Sequence, residues 1–200
     1  MSRLKRSRAA QPLDAEGDPR ESSSFGKQLD FLANTNGQHD QRRVLGVDIG
    51  LKGALALLEE TGELVDVFDM PWLADGPARR PAINPALLAA IIRPAQPAQS
   101  FVELVTSRPT DGAVQAFAFG RCRGVVEGVL AALGGPVTHL TAPQWKRAVG
   151  IPPGRDGAKD MARSEAIRRW PDKAALFARV KDDGRAEACL IGLAGLQRHA

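Results

Sequence analysis

Arg43–Glu60 reads RVLGVDIGLKGALALLEE, and the reading of this stretch decides the fold. Val44, Leu45, Val47 and Ile49 form an apolar run too short for a typical helix. The run is rich in β-branched residues and stops at Gly50 and Gly53, which is the pattern of a buried strand. A second apolar run, Ala54–Leu58, follows at once, so Gly50–Gly53 turns a hairpin. Asp48 stands inside the first strand. Strands disfavour Asp, and an unpaired buried carboxylate is costly. Its charge calls for compensation by a metal ion, by a cationic partner or by the amides of the adjacent turn.

Outward from the hairpin, Thr61–Gly62 makes a second tight turn, and Glu63–Met70 (ELVDVFDM) alternates apolar and polar residues. Three antiparallel strands in succession are expected. Pro71–Pro81, with Arg79 and Arg80, reads as loop, and Asn84 as the cap of a helix over Pro85–Ile92. Phe101–Val105 (FVELV) is a fourth strand, carrying Glu103, and Ser107–Gly112 is a turn-rich loop. Ala113–Leu133 is a long helix ended by Gly134 and Gly135. Within it Gly120, Gly124 and Gly128 share one face, each costing about 1 kcal/mol relative to Ala. Close packing inside the monomer is the favoured compensation, and a dimer face the other. Val137–Leu140 is a fifth strand. Helices follow over Ala142–Val149, with Trp145 as a core anchor, then Ala158–Trp170, Lys173–Val180 and Asp183–Leu196. The chain is thus α/β, with a five-stranded mixed sheet flanked by helices.

Two hundred residues suffice for one domain with a sizeable core. A formal charge of +4 and a pI near 9.4 permit a nucleic-acid partner without demanding one. Cys122 and Cys189 form no CxxC pattern, so neither a zinc site nor a disulfide framework is expected, and His39, His139 and His199 are too few for a histidine metal site. No apolar run approaches the roughly 20 residues of a membrane span, and the basic start MSRLKRSRAAQP lacks the apolar core of a secretion signal. A soluble, cytoplasmic protein is expected. Residues 1–43 have a disorder-like composition and read as a basic, polar extension before a domain over 44–200.

Three acidic positions lie in or beside apolar elements: Asp48, Glu103, and the pair Asp183 and Glu187 in the last helix. Residues four apart share a helical face, so Asp183 and Glu187 can point at one site. Should strands one and four be neighbours, all four carboxylates converge. Such a set needs hard divalent cations, with Mg²⁺ the usual choice. Two ions about 4 Å apart suit in-line displacement at phosphorus. The alternative for the pair is that Asp183 caps its helix and Glu187 is surface.

VLGVDIGLKGALAL, FVELV, FAFGRCRGVVEGVL, TAPQWKRAVGIPPGRDGAKDMA and DDGRAEACLIGLAG, in that order, resemble the motifs of the RuvC family of Holliday-junction resolvases, in its divergent phage-like branch. The resemblance implies a ribonuclease-H-like fold and a crossover-junction endodeoxyribonuclease. It implies Asp48, Glu103, Asp183 and Glu187 as catalytic metal ligands for two Mg²⁺ ions, with Mn²⁺ as a substitute. It implies Lys146 and Lys159 near the DNA backbone, against the alternative of a solvated helix face, and Arg123 on the glycine-arginine helix; Arg121 and Arg123 either contact phosphate or flank the glycine face. It also implies branched DNA as partner and a homodimer. The chain departs from the family in its last motif, where Gly184 occupies the usual acidic position, leaving Asp182 and Asp183 both open as the ligand. It departs again after the second motif, where Thr106 stands in place of a base-stacking aromatic.

Other functions use similar parts. A non-catalytic junction-binding relative would keep the fold and lose the site. An RNA-directed nuclease would share the metal chemistry. Sugar-kinase or actin-like ATPases also use a strand–DxG–hairpin, but they need a second phosphate loop, and no second D-x-G follows a strand here.

Overall fold

The structure, a computed structural model, describes residues 42–107, 110–152 and 158–199, without the side chains of residues 158, 159 and 199. Of the extension expected over residues 1–43, only Arg42 and Arg43 fall within it, and Arg43 already opens the first strand.

Five strands make the main sheet: β1 (Arg43–Asp48), β2 (Ala54–Glu59), β3 (Leu64–Asp69), β6 (Gln99–Glu103) and β7 (Val137–Leu140). Their spatial order is β3-β2-β1-β6-β7. The first three pair antiparallel, as short turns dictate, and β6 and β7 add in parallel beside β1. The expected three-then-two mixed sheet is what forms.

The segment Pro71–Pro81, expected as loop, instead forms a second hairpin from β4 (Trp72–Asp75) and β5 (Arg80–Ile83). Its prolines hid it. A two-stranded ribbon is all edge, and an edge strand tolerates proline. Five α-helices accompany the strands among the described residues: α1 (Pro85–Ala95), α2 (Ala113–Leu133), α3 (Ala142–Ala148), α4 (Ala158–Arg169) and α5 (Asp183–His199). Asn84 caps α1, its side chain accepting from the Leu87 amide at 3.1 Å. Between α4 and α5 the expected short helix is a 3₁₀ turn over Pro171–Phe177.

Strand alternation sorts the core into two layers. Leu45, Val47, Leu55 and Leu57 face α1 and α2. Val44, Ala54, Ala56, Leu58 and Phe101 face α4 and α5. The α5 face lies directly on the sheet, because small residues meet there. A Cβ on Gly46 would run into the Ala188 carbonyl oxygen, and one on Gly195 into the Phe101 ring.

The glycines of α2 behave differently. A Cβ at Gly120, Gly124 or Gly128 would meet nothing within 4 Å. The expectation that this face packs closely inside the monomer is therefore overturned: the three glycines are exposed and look away from the sheet.

Candidate metal centre

The pleat that sorts the core also aims the carboxylates. Asp48 shares the parity of Val44 and Gly46, and Glu103 that of Phe101, so both belong to the α5 side of the sheet. The parallel register pairs Val47 with Val102, which sets Asp48 and Glu103 side by side at the carboxyl ends of β1 and β6. Glu187 comes to them from the first turns of α5. One oxygen from each of Asp48, Glu103 and Glu187 lies within 4.8 Å of the other two, and all three residues are half-buried. Ligands on opposite sides of a hard cation at about 2.1 Å stand about 4.2 Å apart, so the trio is within a small side-chain adjustment of coordination. The donor set is carboxylate oxygen, which suits Mg²⁺ or Mn²⁺ over softer ions.

Asp183, the fourth expected carboxylate, opens α5 one turn before Glu187 and is not part of that close trio. Its neighbour Asp182 is 2% exposed and committed elsewhere. It accepts from the Arg179 amide at 2.8 Å and from the Arg179 guanidinium at 2.8 and 3.1 Å, with Arg185 at 3.9 Å. Burial pushes the Asp182 carboxyl up, and the Arg179 hydrogen bonds and charge outweigh it, holding it below the usual carboxylate range. Arg185 also grips Asp69 at the end of β3 with two 2.6 Å bonds. The start of α5 is thereby tied to the sheet.

The usual acidic position is closed to an acid here. A Cβ on Gly184 would run into the Lys52 carbonyl oxygen and stand 3.1 Å from Gly53 Cα and 3.2 Å from Asp48 Oδ2. The turn after Asp48 rests on the first turn of α5, and only glycine leaves room for it. A Cβ on Gly53 would likewise run into the Asp48 carbonyl oxygen.

Glu103 has a partner that the motifs did not announce. The indole Nε1 of Trp145 donates to Glu103 Oε1 at 3.4 Å, while the Trp145 ring is fully buried. Thr141 and Gln144 form a capping box that starts α3 at the end of β7, beside Glu103. The signal in the sequence was general: a buried indole N–H seeks an acceptor. Lys146 Nζ lies 5.1 Å from the Trp145 ring centroid, a cation–π distance.

The arginines of α2 are engaged. Arg121 pairs with Asp75 of the second hairpin at 2.6 Å. Arg123 donates to Glu127 at 2.7 Å and to the Val105 carbonyl at 3.4 Å, and His139 meets the same Glu127 oxygen at 2.8 Å. The side chain of Lys159 lies outside the described residues. Both cysteines are free, Cys189 buried and Cys122 half-buried. Among the described residues, no helix is long and apolar enough to cross a membrane.

A mixed sheet of order 3-2-1 extended by two parallel strands, with carboxylates at the ends of β1 and β6 and on the closing helix, defines a ribonuclease-H-like fold. Among solved structures the chain is similar to Thermus thermophilus RuvC in complex with a Holliday-junction substrate, with a TM-score of 0.52, 17% identity, and coverage of 79% of this chain and 94% of that one. A second Thermus thermophilus RuvC structure matches at TM-score 0.46 and 16% identity over 78% of this chain and 95% of that one. The yeast mitochondrial Holliday-junction resolvase Ydc2 matches at TM-score 0.38 and 13% identity over 86% and 84%. No protein-family model and no curated protein matches the sequence. The fold is RuvC-like.

Proposed function

We propose that the chain is a divalent-metal-dependent endonuclease that resolves four-way DNA junctions by paired nicks. The observation that carries this reading is the convergence of Asp48, Glu103 and Glu187 from three separate elements of a RuvC-like fold. The Thermus thermophilus RuvC structure similar to this chain at a TM-score of 0.52 was solved with a Holliday-junction substrate, which supports the choice of branched DNA.

In this reading Asp48, Glu103 and Glu187 hold Mg²⁺, Asp183 joins from one turn earlier on α5, and Mn²⁺ substitutes. Two ions, when bound, supply an activated water and a stabilised leaving oxygen for in-line displacement at phosphorus. The residues of the chain do the rest. Trp145 orients the Glu103 carboxylate through its indole N–H. Lys146 and Lys159 take phosphates of the DNA backbone, and Arg121 and Arg123 contribute charge from α2.

Paired nicks in a two-fold substrate call for a two-fold dimer. The exposed Gly120, Gly124 and Gly128 face supports α2 as the helix on which two copies meet, because it admits a second backbone at close range. An assembled carboxylate trio favours the enzyme over a non-catalytic relative.

The test is cleavage of four-way, Y-shaped, linear and RNA substrates by the purified chain, with and without Mg²⁺. Paired, Mg²⁺-dependent cuts in the four-way junction support the reading. Binding without cleavage indicates the non-catalytic relative, and preferential cutting of RNA indicates the RNA-directed nuclease.

A further inference from the structure

Three tryptophans occur in the chain, and two of them anchor the core: Trp145 is fully buried and Trp170 is 4% exposed. Trp72, on β4, is 61% exposed. It belongs to the hairpin that sequence patterning missed. At the far end of that hairpin Asp75 pairs with Arg80 across the strands, and Gly76–Arg79 makes the tip. Arg79 has φ 48°, a left-handed conformation that a non-glycine side chain resists, and its amide bonds the Gly76 carbonyl at 3.0 Å. Backbone strain of this kind persists where the surroundings impose it, often at sites of function. Arg79 and Arg80 make no ion pair among the described residues.

The hairpin is braced and lies at the metal end of the fold. The Met70 amide, two residues before Trp72, bonds the carbonyl of Gly53 at 2.9 Å, in the turn that follows Asp48. The Asn84 amide bonds the Pro71 carbonyl at 2.9 Å, and Asp75 pairs with Arg121 of α2. Between β5 and α2 runs a groove lined by Leu51, Arg80, Val114, Phe117 and Arg121. Leu51 belongs to the turn after Asp48, so the groove opens at the end of the sheet that carries Asp48. Val114 and Phe117 are each 73% exposed on its rim.

We propose that the β4–β5 hairpin is an arm that holds an unpaired nucleic-acid strand beside the metal centre, with Trp72 stacking on a base and Arg79 and Arg80 meeting phosphates. The arm rests on the nuclease reading above for the identity of its polyanion. Its own content is the surface, its residues and the preference for unpaired strand. Exposed aromatic faces and arginines are the two components with which proteins grip single strands. Duplex bases are stacked on both sides and offer a tryptophan no free face. The charge of Asp75 is taken up by Arg121, so the arm presents net positive charge to the strand.

Trp72 is its own probe. Acrylamide quenches exposed indoles, so collisional quenching of the full chain reports chiefly on Trp72. The measurement is made in EDTA, where no cutting occurs, with a single-stranded oligonucleotide, a four-way junction and a fully paired duplex. The single strand is expected to protect the emission from acrylamide, and the duplex to protect it least. Trp72→Phe should remove the quenchable fraction, and Trp72→Ala, which also removes the stacking face, should weaken single-strand binding by about 5- to 150-fold. Arg79→Ala with Arg80→Ala should reduce the slope of log affinity against log salt by about 1.4, the share of two phosphates on a single strand. A melting curve for each variant confirms folding. Binding that leaves Trp72 as quenchable as before, or an unchanged salt slope, overturns the arm alone. Protection that grows with protein concentration and without nucleic acid also overturns it, since the surface would then belong to contact between copies. Failure to bind any nucleic acid overturns both the arm and the nuclease reading, so the two failures are distinguishable.

Discussion

Trp145 Nε1 donates to Glu103 Oε1 across 3.4 Å, and through this bond the hydrophobic core orients a carboxylate of the candidate metal centre. Removing the donor while keeping most of the ring isolates its effect. Trp145→Phe should lower Mn²⁺ affinity by about tenfold, the lower range for loss of a group that orients a metal ligand. Isothermal titration with Mn²⁺ measures it. An unchanged affinity would leave Trp145 with its packing role only.

Gly184 tests the contact between the turn after Asp48 and the start of α5. Gly184→Ala should destabilise the fold by about 1–3 kcal/mol, since the obstructing atoms are backbone and cannot swing aside. Urea melts report the loss. Gly184→Asp, which restores the usual acidic position, should fail to rescue Glu187→Ala in the cleavage assay for the same reason.

On α2, a Cβ at Gly124 meets nothing, so Gly124→Ala should stabilise the monomer by about 1 kcal/mol through helix propensity alone. If two copies meet on this face, Gly124→Leu should weaken self-association in sedimentation experiments without lowering the stability of the monomer. Both outcomes are read on one helix, and only the second depends on the dimer.

Glu127 gives a pH signature. Burial pushes its carboxyl up, but hydrogen bonds and charge from Arg123, joined by His139, outweigh that and hold it below the usual range. The folded value is below the unfolded one, so the stabilisation is complete above the ordinary carboxylate range, about 4.3, and is lost as pH falls through the folded value. Glu127→Gln should cost about 0.5 kcal/mol at pH 7, in keeping with a partly exposed pair. The difference from the wild-type chain should vanish at low pH. Thermal melts across pH 2–7 check the convergence.

Much of this fold was legible because its signals are local. The β-branched run Val44–Ile49, the alternation of Glu63–Met70 and the glycine stop after Leu133 each act over a few residues, and β1, β3 and α2 formed where those signals lie. The β4–β5 hairpin was not legible, because Pro71, Pro77 and Pro81 read as strand-breakers, whereas Pro71 precedes β4, Pro77 lies in the tip and an edge strand accommodates Pro81. The exposure of the α2 glycines was equally hidden, since spacing shows that Gly120, Gly124 and Gly128 share a face but not what lies opposite. At the candidate site, the strand-borne Asp48 and Glu103 stood out as charges in apolar runs. Asp182 and Asp183 could not be separated, because adjacent residues at a helix start differ only in direction, and it took Arg179 to show where Asp182 points. The Trp145–Glu103 bond spans 42 residues of sequence and left no local trace.

The central claim, that Asp48 is a metal ligand of a nuclease centre, is tested most directly by Asp48→Asn on a synthetic four-way junction. The variant keeps the shape of the side chain and removes its charge. Mg²⁺-dependent cutting should fall by at least about a hundredfold, while junction binding in EDTA stays within a fewfold of wild type. Cutting at the wild-type rate by a folded Asp48→Asn chain would contradict the account.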